Sequence, residues 1–199
     1  MVKKKREYVS TPLSSPICTW ALPLVARVGK QWFPSGTAII ISDWFALTAK
    51  HVVEDFMDKF GTKVKSDGDF HHNFCMQAVQ VLDGGKAAVM LDIDRIWRCG
   101  NTDVAFLRLK PRSEESLHFD WKRVVIDLKP LECGQEVVAF GFPRPSIELD
   151  SGEDVEKIRW TIDPVTTTGE VIEVFGEKRD SVFLNFPCYQ VNARFEPSM

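Results

Sequence analysis

Gly36-Thr37-Ala38-Ile39-Ile40-Ile41-Ser42-Asp43-Trp44-Phe45-Ala46-Leu47-Thr48-Ala49-Lys50-His51 is the stretch on which the fold turns. Thr37 to Ser42 is a β-branched run after a Ser-Gly turn, and Ala46 to Ala49 is a second short strand. A helical pattern begins where that strand stops. Val52, Val53, Phe56 and Phe60 recur at near-helical spacing, and Gly61 ends the run. This helix, His51 to Phe60, is the main helix candidate of the chain. An imidazole at a rigid strand end, with a helix fixing the backbone behind it, has a defined position and tautomer. Those are what a general base working near neutral pH needs.

Outward from this stretch the strand signals are frequent and short. Leu22 to Val28 precedes it. Gln77 to Leu82 and Ala87 to Ile93 flank Asp83-Gly84-Gly85, a hairpin turn. Val104 to Leu109 alternates, with Val104, Phe106 and Arg108 on one face. Val124 to Ile126, Glu136 to Phe140, Ile158 to Ile162, Thr168 to Phe175 and Ser181 to Phe186 continue the series. Many short strands with Gly and Pro turns predict an all-β sandwich or barrel. Residues 1–16 read as a loose tail, 113–121 as a linker between two β units, and 62–73 and 143–156 as long loops. Asp150, Glu153, Asp154 and Glu156 make the last of these acidic, in a pattern too loose for a calcium loop.

Composition narrows the function classes. The chain has 199 residues, net charge −3, 44% hydrophobic and 27% charged residues, which is ordinary for a globular protein. A basic field that would hold nucleic acid is lacking; Lys3-Lys4-Lys5-Arg6 is the one basic run and reads as a solvated tail. No apolar run approaches the length of a membrane span, and none follows the lysines as an export signal would. Cys18, Cys75, Cys99, Cys133 and Cys188 are odd in number and lack a CxxC spacing. They read as reduced thiols of a cytoplasmic protein, with no metal site and no disulfide. His71-His72 sit in a Gly/Asp-rich stretch without partner ligands, and Cys188 has no histidine motif to activate it.

The second informative stretch is Asn101-Thr102-Asp103-Val104-Ala105-Phe106-Leu107-Arg108-Leu109. An acidic residue opening an apolar strand can accept the proton-bearing nitrogen of an imidazole, orient the ring and stabilise the imidazolium. His51 and Asp103 are 52 residues apart, so they would meet only through the fold.

Taken in order, these pieces resemble trypsin-like serine peptidases. Thr48-Ala49-Lys50-His51 looks like the TAxH histidine motif, and Thr102-Asp103-Val104-Ala105 like the D-[IV]-A aspartate motif. Gly36-Thr37-Ala38 is similar to the strand before the histidine. Cys133 to Pro143 resembles the G-x-x-V-x-x-x-G-[YF]-P stretch of the second barrel, and Thr168-Gly169-Glu170-Val171-Ile172 the x-G-x-[IV] strand after it. The likeness covers roughly residues 20–199, and the disulfide-free, bacterial-type members are the nearer match.

The resemblance implies two packed antiparallel β-barrels, with the cleft between them. The first would span 17–112 and carry His51 and Asp103; the second would occupy 122–199 and be incomplete. It implies a serine endopeptidase acting on peptide or protein substrates, without cofactor or metal. His51 would be the base and Asp103 its orienting partner, the ring nitrogen and the carboxylate within about 2.6–3.2 Å of each other. Asn192 to Met199 is similar to the segment that leads into the nucleophilic serine, which would come just after Met199. Ser198 stands where the family carries the glycine of the oxyanion hole. On this reading the 199 residues alone are expected to be inactive, and the incomplete barrel to offer an open edge for self-association. Activation by cleavage to a new Ile-Val N-terminus is not expected, because Val25 to Gly29 continues a strand-like run. The alternative is a non-catalytic module of the same fold that binds peptides or proteins.

Overall fold

In a computed structural model, the described residues are 8–28, 31–60, 74–111, 124–143, 146–151, 156–181 and 184–193. The protein is mainly β. Its first unit contains β2 (Ala21–Val28), β3 (Gln31–Ser42), β4 (Phe45–Thr48), α1 (Lys50–Phe60), β5 (Phe74–Leu82), β6 (Ala87–Arg98) and β7 (Ala105–Pro111). The six strands form a closed barrel in the order β2-β3-β4-β7-β6-β5, with every neighbouring pair antiparallel. Closure removes the exposed strand edges that an open sheet would present.

Strand alternation explains the filling of the barrel. Leu22, Leu24, Ala38, Ile40, Ala46, Met76, Leu91, Ala105, Leu107 and Leu109 point inward and are buried in one cluster. Alanines alternate with large side chains there, as the narrow interior of a small barrel demands. α1 adds Val53, Phe56 and Met57 to the same cluster. The helix starts at Lys50, one residue before the predicted start, and Met57 belongs to its buried face. Along β7 the alternation is as read from the sequence, and the face of Phe106 and Arg108 is the outer one, while Ala105, Leu107 and Leu109 are buried.

Two local features shape the barrel. Register skips at Leu24/Val25, where Leu24 pairs with Gly36 and Val25 with Pro34, so Ser35 is the unpaired residue of a bulge. A bulge is also where a strand tolerates proline. Between β5 and β6 the predicted hairpin is present: Asp83, Gly84 and Gly85 take φ values of 48°, 65° and 96°. Leu13 packs so closely here that a Cβ on Gly85 would lie 2.7 Å from its Cδ1.

The second unit is built on β11 (Val165–Phe175), which pairs with β8 (Glu136–Gly141), with β12 (Cys188–Val191) and with β1 (Val9–Ser10). β9 (Ser146–Ser151) and β10 (Glu156–Thr161) form a separate hairpin. Among the described residues these pairings make an open sheet; the closure of a second barrel is not among them. The units touch where the Phe142 N–H donates to Thr37 Oγ1 at 3.4 Å.

Several expectations are corrected. Residues 8–16 are not loose: Val9 and Ser10 pair with β11, and Thr11 N–H donates to the Pro164 carbonyl at 2.8 Å. The expected 143–156 loop contains β9 and the first residue of β10. Val124 to Ile126 is not a strand, and Val125 is 92% exposed. No strand occupies the described residues of 181–186. Residues 113–121, 62–73 with His71-His72, and 194–199 with Ser198 and Met199 lie outside the described residues.

Candidate functional site

Strand register brings the two informative stretches together. Thr48, the last residue of β4, pairs with Ala105, the first of β7. His51 lies three residues beyond Thr48, and Asp103 two residues before Ala105, so both emerge at the same end of the barrel. The Thr48 hydroxyl donates to the Thr37 carbonyl at 2.9 Å, which ties that end of β4 to β3.

The contact between His51 and Asp103 is double. Asp103 Oδ2 lies 2.6 Å from His51 Nδ1, and Asp103 Oδ1 accepts the His51 backbone N–H at 2.9 Å. The Asp103 main-chain carbonyl also accepts the Lys50 N–H at 3.2 Å. A carboxylate fixed by a backbone donor cannot swing away from the ring. Because a carboxylate only accepts, Nδ1 carries the proton and neutral His51 keeps its lone pair on Nε2. Among the described residues Nε2 has no hydrogen-bond partner. The His51 side chain is 61% exposed and that of Asp103 30%, so the imidazole is open to an incoming reactant while its partner is more sheltered.

A cavity of about 370 Å³ opens beside the ring, lined among others by Gly36, His51, Val52 and Phe56. Ser35 shares it, but its hydroxyl donates to the Val52 carbonyl at 3.2 Å and serves the bulge rather than the imidazole. The site thus offers an oriented base with a free ring nitrogen, and the described residues place no hydroxyl or thiol on that nitrogen.

Of the residues singled out from the sequence, the structure brings His51 and Asp103 together; Ser198 is outside the described residues. Sequence reasoning missed the wall of the cavity, Phe33 and Pro34, because β3 reaches back to Gln31 beyond the Ser-Gly taken as a turn. Pro34 stands next to the bulge residue Ser35 on the same strand, paired with Val25. Among the described residues no group of three or more His, Cys, Asp or Glu is placed to hold a metal ion, and no helix is long and apolar enough to cross a membrane. All five cysteines are free thiols. No protein-family model matches the chain, and no curated protein matches it.

Proposed function

We propose that this chain carries the base and the orienting acid of a serine endopeptidase whose fold is the two-barrel, trypsin-like one. The observation that carries the reading is the doubly held Asp103, which leaves His51 Nε2 unoccupied at the mouth of a cavity. In such a reaction His51 Nε2 takes the proton of the attacking serine hydroxyl. The serine oxygen bonds to the scissile carbonyl carbon, and His51 then returns the proton to the leaving amine. Asp103 keeps the proton on Nδ1 throughout and stabilises the imidazolium. The sequence motif near Asn192 directs the search for the nucleophile to the residues around and beyond Met199. The expected glycine position of the oxyanion hole falls on Ser198, whose side chain restricts the backbone conformations a glycine would allow there.

The test is labelling of the full gene product with a fluorophosphonate probe, with and without His51→Ala. Labelling of one serine, reduced at least about a hundredfold by His51→Ala, is expected. Absence of labelling, or labelling indifferent to His51, overturns the proposal.

The second reading, a non-catalytic binding module, is favoured by one feature of the barrel wall. Register places Ile39, Leu47, Phe106 and Trp97 in one lateral row across β3, β4, β7 and β6. Ile39, Phe106 and Trp97 are 37–40% exposed, and Phe45 lies against Trp97 with ring centroids 6.0 Å apart. Apolar rows of this kind often mark contact surfaces. A protein that is never labelled but is captured through this row would satisfy the second reading.

A further inference from the structure

We propose that the outer wall of the barrel across β3, β4, β7 and β6 is a homodimer interface, in which the apolar row of one copy packs on the same row of a second copy. The inference rests on the reading of that row as a contact surface, names its partner, and does not depend on what His51 does.

The row follows from strand alternation. Ile39 pairs with Leu47, Leu47 with Phe106 and Phe106 with Trp97, so the four side chains stand side by side on one outer face. Their neighbours Ala38, Ile40, Ala46, Ala105, Leu107 and Ile96 point inward and fill the barrel without them. Phe45, two residues back along β4, widens the row, and its ring is tilted by 40° against that of Trp97. Ile39, Phe45, Phe106 and Trp97 are 36–40% exposed. Four strands about 4.8 Å apart make the row roughly 15 Å long. That suits the apolar core of a standard interface, which buries roughly 800 Å² per partner inside a polar rim.

Charge on the two borders of the row selects a second copy. On the border away from α1, Arg108 and Arg95 stand side by side in register, and Arg108 donates to both carboxylate oxygens of Asp94, at 2.6 and 2.5 Å. On the border toward α1, Arg98 meets Glu54 at 3.4 Å. Both borders therefore carry both signs. Nucleic acid or an anionic lipid surface calls for a field of cations, and here carboxylates stand among the arginines.

A two-fold axis in the plane of the face lays a border of one copy on a border of the other. Whichever way it runs, both signs meet both signs, which is the self-complementarity an isologous contact requires. A net charge of only −3 keeps the repulsion between copies small. Sheet faces pack about 10 Å apart, so Trp97 of one copy reaches the Phe45 and Phe106 rings of the other in the offset or edge-on contacts that aromatic rings prefer.

The experiment measures the mass of the full gene product by sedimentation equilibrium from about 1 to 200 µM, with hydroxyl-radical footprinting of the same samples. A dimer with a dissociation constant on the order of micromolar is expected. Oxidation of Trp97 and Phe106 should fall as the dimer forms, while that of Tyr189 on the second sheet, 42% exposed, stays constant. Trp97→Glu should raise the dissociation constant at least about thirtyfold, as loss of a central aromatic anchor does. Where that variant loses its far-UV spectrum, Ile39→Lys at the end of the row and the footprint of the unaltered chain carry the test. A monomer at every concentration overturns the proposal; if Trp97 is then sheltered, the chain's own residues cover the row. A dimer indifferent to Trp97→Glu and Ile39→Lys overturns it as well, since association then runs through another surface, such as the edge of the second sheet. A monomer that captures a different protein through the row sinks the dimer and keeps the binding-module reading. A dimer through the row in which no serine is labelled by fluorophosphonate sinks the peptidase reading and leaves this one standing.

Discussion

Gly36 and Val52 are in contact through an absent side chain: a Cβ on Gly36 would lie 2.7 Å from Val52 Cγ1 and 2.9 Å from Cγ2. Val52 follows His51 directly, so this approach sets how closely the helix that carries the imidazole sits on β3. Both colliding methyls belong to a β-branched side chain on a helix, which is held to few rotamers and cannot turn aside. Gly36→Ala is expected to destabilise the fold by about 1–3 kcal/mol through overpacking. Val52→Ala in the same chain should recover at least about 0.5 kcal/mol of that, because the pair is in direct contact. Urea unfolding of the two single variants and the double one checks it; strict additivity would remove the contact from the explanation.

Asp103→Asn separates orientation from mere proximity. An asparagine offers one acceptor oxygen where the carboxylate offers two, and the site uses both. If the oxygen stays with the His51 backbone N–H, the amide NH2 faces the ring. Nδ1 must then accept, the proton moves to Nε2, and the imidazole can no longer act as a base toward a hydroxyl. The fluorophosphonate labelling rate is expected to fall by roughly 10⁴, while the stability changes by about 2 kcal/mol or less. An asparagine variant that labels at the parent rate would show that Asp103 does not set the tautomer.

Thr37 joins the barrel to the second sheet through its hydroxyl, which accepts the Phe142 N–H, and to the His51 end of β4 through its carbonyl, which accepts the Thr48 hydroxyl. Thr37→Val keeps the shape and the carbonyl but leaves the N–H of Phe142, a residue only 1% exposed, without that acceptor. A loss of about 1 kcal/mol is expected, with Thr37→Ser restoring most of it. Equal unfolding midpoints for the valine and serine variants would count against the link.

The first unit was legible because its signals are local. Apolar and β-branched runs in Leu22 to Val28 and Thr37 to Ser42 mark strands, and the Asp83-Gly84-Gly85 turn needs the positive φ values it adopts. The pairing of His51 with Asp103 was legible from motif order, although no local rule brings residues 52 apart together; the Thr48–Ala105 register does that. The rest depends on partners distant in sequence. Val9 and Ser10 form a strand only because β11 offers a free edge, and no propensity within so short and polar a stretch could reveal it. Val125 is β-branched and reads as strand, yet lies almost wholly exposed, because propensity without a pairing edge does not make a sheet. Phe33 and Pro34 were hidden because Ser35-Gly36 reads as a turn, whereas β3 runs through that point as a bulge.

Cys18 supplies a pH dependence whose direction follows from burial. It lies in the 3₁₀ turn Pro16–Thr19, is 0% exposed, and its thiol donates to the Pro12 carbonyl at 3.6 Å. Burial raises the thiol above its ordinary value of 9.0, because the thiolate would lose its water. The folded chain therefore holds this proton more tightly than the unfolded chain. The resulting stability is fully present below about pH 9 and is lost as the pH rises through 9 toward the higher folded value. Cys18→Ala leaves a small void and should cost about 1 kcal/mol at pH 7. Above pH 9 the cost should shrink, since the variant has no thiol to keep protonated. Urea unfolding of both chains at pH 7, 9 and 10 measures the difference, and taking the difference cancels the lysines and tyrosines that titrate in the same range. Thiol alkylation at pH 8 gives an independent reading: exposed Cys133 should react well before Cys18. Parallel pH curves for the two chains, or alkylation of Cys18 as fast as Cys133, would mean that the Pro16–Thr19 turn opens readily and does not bury the thiol as the structure has it.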